Sequence, residues 1–165
     1  MSWPFAQSGG FQSIGSRGSS ASQAAAGTLG LQLHVLHAST EREFDSVFAS
    51  LAQLGAGGLV ISTDPFFTTQ SKQLGALALR NAMPAIYQYP PFAAAGGLMS
   101  YGGSITDNFR LVGVYTARTL NGEKPADLPV QQSTKIELLI NLKTARALGI
   151  EIPPTLLARA DEVIE

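Results

Sequence analysis

Along the first twenty-two residues, MSWPFAQSGGFQSIGSRGSSAS, the apolar positions keep no period. Seven serines and four glycines accompany a single charge, Arg17, so residues 1–22 are expected to be a disordered Ser/Gly-rich tail that cannot repay its ordering entropy. From Gln23 the pattern becomes regular. SQAAAGTLG reads as a short helical remnant ending at Gly30, and LQLHVLHA, Leu31 to Ala38, alternates as a strand does. Ser39 or Thr40 then caps a helix whose Phe44, Val47, Phe48, Leu51 and Leu54 recur at helical spacing behind an acidic first turn. The unit repeats: GLVIS is a short apolar run, and TTQSKQLGALALRNAM carries Leu74, Leu77 and Met83 on one stripe. PAIYQY, closed by Pro90 and Pro91, and GGLMSY add two more strands. Strands alternating with helices, the short ones apolar throughout, predict an α/β fold: a doubly wound parallel sheet with helices on both faces.

Beyond the fourth strand the pattern predicts a helix over 107–121, with Ser104 and Asp107 at capping-box spacing and Gly122 at its end. Phe109, Val112, Tyr115, Thr116 and Leu120 form its apolar stripe. EKPADLPVQQ is a proline-punctuated extended connection. KIELLIN then reads as a strand, Asn141 as the cap of LKTARALG, and Gly149 as a left-handed terminus. Pro153 and Pro154 stop any continuation, leaving TLLARADEVI for a last helical turn and an edge strand.

Composition narrows the function classes. Charged residues are 14% of the chain and apolar ones 45%, so much of it must be interior or in contact with something. A net charge of −1, with no Lys/Arg cluster among aromatics, gives no field for phosphates, and no nucleic-acid partner is expected. The absence of cysteine removes thiolate chemistry and zinc–thiolate sites. No run approaches the roughly 18 apolar residues of a membrane span, and no secretory signal is recognisable, so the sequence as written reads as cytoplasmic. His34 and His37, three apart on a strand, point to opposite faces, and no metal is expected. No catalytic triad order, HExxH, Walker sequence or spaced GxGxxG occurs, and no enzymatic activity or cofactor is expected.

Ligands of open parallel sheets sit beyond the carboxyl ends of the strands. Two of those ends stand out. In STDPFFTT, Asp64 ends a strand, Pro65 fixes the turn, and Phe66 and Phe67 precede a helix expected to begin near Thr68; Asp64 suits a ligand amine and the helix N–H groups a carboxylate. Equally, Asp64 orders only its own turn and both phenylalanines are core. In GGLMSYGG, Tyr101 lies between Ser100 and the pair Gly102 and Gly103, which makes it a stacking wall with a polar tip, or the segment a hinge.

The motifs GGLMSYG, KPADLPVQQ, INLKTARALG and LLARADEVIE are the strongest parts of a resemblance running from Gln23 to Glu165. Over this span the sequence resembles the carboxyl-terminal part of the substrate-binding proteins of ABC-type importers, specifically the periplasmic-component family that includes tryptophan- and tyrosine-type binders. The resemblance implies a type I periplasmic-binding-protein architecture, with a flavodoxin-like lobe at 23–101 and 133–165. Residues 102–132 would be crossing segments plus a helix of the other lobe, which is missing here. It further implies a small zwitterionic ligand, an amino acid, held between lobes by Asp64, Pro65, Phe66, Ser100, Tyr101 and Gly102. An ABC permease would be the partner and the periplasm the location.

Family members are about twice as long, and Gly103 stands where many carry proline, so the chain is expected to be a truncated member. With the first lobe missing, Phe109, Val112 and Leu120 would be exposed, and a homodimer or domain-swapped pair is expected to bury them. Two other classes share the fold pattern: an effector-sensing regulatory domain, and a small flavodoxin-like enzyme.

Overall fold

The structure, a computed structural model, describes residues 11–14, 20–131 and 134–165, the first four by their backbone. Short apolar runs become strands and longer amphipathic ones helices. The strands are β1 (Phe11–Ile14), β2 (Leu33–Leu36), β3 (Gly58–Ile61), β4 (Ala85–Tyr87), β5 (Met99–Gly103), β6 (Ile136–Asn141) and β7 (Glu162–Ile164). The helices are α1 (Ser20–Thr28), α2 (Phe44–Gln53), α3 (Pro65–Thr69), α4 (Ser71–Arg80), α5 (Pro90–Ala94), α6 (Ile105–Leu120), α7 (Leu142–Ala147) and α8 (Pro154–Leu157).

The strands form one sheet in the order β2-β1-β3-β4-β5-β6-β7. Every adjacent pair is parallel except β5–β6, where Tyr101 faces Leu138 in antiparallel register. The sheet is thus the expected doubly wound α/β arrangement with one reversed pair. The reversal follows from the chain path: α6 and the connection after it bring the chain back beside Gly103 without a crossover over the sheet.

Two expectations need correction. Residues 1–22 were expected to be a disordered tail, yet Phe11–Ile14 form a strand inside the sheet and Ser20–Ser22 open α1. Backbone hydrogen bonds to both β2 and β3 order a segment whose composition alone argues against it. Residues 1–10 and 15–19, including Trp3 and Phe5, lie outside the described residues. The helix expected from Thr68 through Met83 instead begins at Pro65, breaks at Gln70 and stops at Arg80. It stops because Ala82 takes a left-handed φ of 50°, so that Ala82 N–H reaches the Leu79 carbonyl (3.1 Å) and Met83 N–H that of Ala78 (2.8 Å).

The larger core cluster lies on one face of the sheet. Leu59 and Ile61 of β3 and Ala85 and Tyr87 of β4 meet Phe44, Phe48 and Leu51 of α2, Phe67 of α3, Leu74, Leu77 and Ala78 of α4, and Phe92 of α5. A second cluster joins Leu138 and Ile140 of β6 to Ala145 of α7 and to Ile150 and Ile152. Gly149, at φ 67°, ends α7 as expected and lets Ile150 turn back, its N–H 2.8 Å from the Ala145 carbonyl.

Helix α6 stands apart from both clusters. Ser104 caps it, accepting the Asp107 N–H at 3.3 Å, but none of its residues is buried. Phe109 is 72% and Leu120 82% exposed. Its last turns instead line a groove with Pro125 and Leu128, and the Tyr115 hydroxyl donates to the Pro129 carbonyl, which folds the following segment back along the helix.

Candidate ligand-binding site

The order β2-β1-β3 places a change of winding direction between β1 and β3, and in such sheets the crevice opens outside the carboxyl ends there. The loop after β3 therefore borders that position, and the ends of β4 and β5 continue the same rim.

Asp64 is extended (φ −153°, ψ 138°) and caps α3, with Oδ1 accepting the Phe66 N–H at 2.8 Å and Pro65 filling the first helical position. Its backbone carbonyl is held from below. Thr68 Oγ1 donates to it at 3.0 Å, and the Tyr87 hydroxyl lies 2.7 Å from Thr68 Oγ1. Because the single Thr68 proton goes to the Asp64 carbonyl, the Tyr87 hydroxyl is the donor of its pair with Thr68, and it also reaches the Asp64 carbonyl at 3.4 Å. Burial raises the Tyr87 phenol above its ordinary range, so it stays protonated and a donor.

Beside this turn, the Thr63 hydroxyl donates to Gln88 Oε1, joining the ends of β3 and β4. β5 closes up on the other side because Gly102 has no side chain: a Cβ there would stand 2.4 Å from the Gln88 carbonyl oxygen. Tyr89 precedes the first turn of α5, its ring 5.6 Å from Tyr87 in an edge-on pair. Tyr101 is 58% exposed.

The structure thus brings Asp64 and Gly102 to one rim, with Tyr101 beside Gly102 on the strand. It treats the other expected residues differently. Phe66 packs on Phe44 and Phe67, ring centroids 5.6 and 5.4 Å away, half-buried against the core. Pro65 is exposed in the first turn of α3, and Ser100 is buried on the same face as Tyr87, its register partner.

Sequence reasoning missed Thr63, Gln88 and the support from Tyr87. The available signal was Gln88 itself, a polar residue between two tyrosines at a strand end. Across the three loops STDPFFT, YQYPPF and SYGGS, Asp64 is the one acid and there is no Lys or Arg. These three loops therefore offer one negative charge, neutral hydroxyl and amide groups, and an exposed aromatic ring.

Against known proteins, a family model described as ABC transporter substrate binding protein matches residues 19–164. No curated protein matches. Among solved structures, the ABC domain in complex with L-Trp from Streptococcus pneumonia aligns with a TM-score of 0.81 at 23% identity, over 94% of this chain and 55% of that one. A conserved domain protein from Vibrio cholerae aligns with a TM-score of 0.80 at 21% identity, over 93% and 54%. The ligand-free, open structure of a substrate-binding protein with adhesive properties from Clostridium difficile aligns with a TM-score of 0.66 at 22% identity, over 97% and 56%. At these identities the likeness establishes the fold, and the chain spans about half the length of the structures it matches.

Proposed function

The chain belongs to the ABC transporter substrate-binding protein family, and on that premise we propose that it is the ligand-gripping lobe of a receptor for a small zwitterion, an amino acid, delivered to the permease of an ABC importer. The observation that carries this reading is the rim at the strand ends: a lone carboxylate, Asp64, beside hydroxyl and amide groups, with an exposed tyrosine next to them. A single acid in three loops that hold no Lys or Arg suits an ammonium group. Tyr101 supplies a wall for an apolar or aromatic side chain. The L-Trp complex of the Streptococcus pneumonia structure supports an amino acid of that kind. No bond chemistry is involved; binding brings an opposing lobe over the rim.

In this reading residues 102–132 are the crossing to that opposing lobe, and α6 is the part of this chain that belongs to it. Its unburied apolar face then packs on the opposing lobe or, where this chain stands alone, on a second copy. The receptor works outside the cytoplasmic membrane; no helix among the described residues is long and apolar enough to cross one.

The test is a thermal-shift panel of L-tryptophan, L-tyrosine, L-phenylalanine and L-leucine at millimolar concentration, since a ligand of the native state raises its midpoint. The unaltered chain is expected to shift with at least one of them. Asp64→Asn, which keeps the cap but removes the charge, is expected to abolish that shift. Absence of any shift, or an equal shift in the variant, contradicts the proposal.

A further inference from the structure

Gln88 has no part in the expected site, yet it lies at the centre of the rim. A carboxamide offers one oxygen acceptor and an amide nitrogen with two donors. The oxygen is taken by the Thr63 hydroxyl, which fixes the orientation of the group and leaves the NH2 without a partner among the described residues. Gln88 is half-buried, so part of the residue is open to solvent. The arrangement needs Gly102, whose missing Cβ makes room for the Gln88 backbone and side chain at 2.4 and 3.0 Å. Thr63 also adjoins Asp64 in the chain, so both stand at the end of β3 on the same rim.

An α-amino acid presents an ammonium and a carboxylate on a single carbon, and recognising it takes an acceptor and a donor side by side. Asp64 is the acceptor. The three loops hold no Lys or Arg, so the donor they supply is neutral. We infer that Gln88 is a specificity-determining residue that meets the ligand carboxylate through its NH2 group, held in register by Thr63. A neutral donor of this kind discriminates by the sign of what it faces: changing it to a carboxylate turns attraction for the ligand's carboxylate into repulsion. This rests on the amino-acid receptor reading above.

The experiment measures the affinity of L-tryptophan and L-tryptophanamide for the unaltered chain, Gln88→Glu and Gln88→Leu by calorimetry. The amide keeps the ammonium but replaces the carboxylate with a neutral group that can itself donate. Gln88→Glu is expected to change the ratio of the two affinities at least ~10-fold in favour of the amide, and Gln88→Leu to weaken L-tryptophan ~5-fold or more with a smaller change for the amide. Both variants are expected to keep the unaltered melting midpoint within a few degrees. An unchanged ratio in Gln88→Glu, whether both affinities fall together or neither moves, overturns the assignment of Gln88 and leaves the receptor reading standing. Failure of the unaltered chain to bind either compound overturns both.

Discussion

Replacing Asn141 by alanine should destabilise the protein by about 2 kcal/mol, and the structure divides that cost into two parts. Asn141 is buried at the junction of β6 and α7. Its Oδ1 accepts the Thr144 N–H at 3.0 Å, capping α7, and its Nδ2 donates 2.8 Å to the carbonyl of Ala93 in α5. Loss of an asparagine cap costs about 1 kcal/mol. The Ala93 carbonyl also accepts the Gly96 N–H at 3.2 Å, so it is not orphaned, and losing the second bond costs a further ~1 kcal/mol. For a chain of this size about 2 kcal/mol is a fall of roughly 4–8 °C in Tm. Asn141→Ser keeps a capping oxygen but cannot reach Ala93, so it should lose about half as much. Urea denaturation followed by circular dichroism reads both variants. A loss under about 0.5 kcal/mol in Asn141→Ala, or equal losses in the two variants, would refute the claim that this side chain ties two elements together.

Three further outcomes follow from the geometry. Ala82→Gly should stabilise by about 0.5 kcal/mol, because the left-handed φ of 50° costs alanine roughly 1 kcal/mol while glycine's extra unfolded freedom returns part of it; a lower Tm would contradict this. Glu43 accepts the N–H groups of Ser39 (2.6 Å) and Thr40 (3.0 Å), which hold its carboxyl below the usual range. Its contribution is therefore complete at neutral pH and lost as pH falls below about 4.3 and through the lowered folded value, so Glu43→Gln should flatten the acid limb of Tm against pH, and an unchanged limb would count against it. The α6 face should make the chain self-associate, and light scattering at high micromolar concentration should show Phe109→Asp shifting it toward monomer; a monomeric unaltered chain contradicts that expectation.

What could be read from the chain depended on how local each cause was. α2, α6 and β6 were legible because their own periodicity and caps specify them: Phe44, Val47, Phe48 and Leu51 are buried where spacing put them, while Leu54, the last of that stripe, falls at the end of α2 and is exposed. β1 was not, because FQSI sits in Ser/Gly-rich sequence and is ordered by hydrogen bonds to strands twenty and more residues away. α5 was hidden by Pro90 and Pro91, which read as a stop but occupy the start of a helix, where a missing N–H costs nothing. The reversed β5–β6 pair depends on the path through α6, which no strand's own residues encode.

The site divided in the same way. Asp64 and Tyr101 were visible as chemistry at strand ends. The burial of Ser100 and the packing of Phe66 depend on which face of an element meets the core. The Thr63–Gln88 contact joins segments twenty-five positions apart, beyond any local pattern.

The central claim is that the rim at the strand ends, built around Asp64, is the ligand surface. Its most direct test is a nitrogen-15 NMR titration of the labelled chain with L-tryptophan, which detects even a millimolar complex of about −4 kcal/mol. The account predicts saturable shifts confined to the amides of Ser62 to Asp64, Gln88, Tyr89, Tyr101 and Gly102. Shifts concentrated instead on the groove between α6 and Leu128, or none at all, would contradict it.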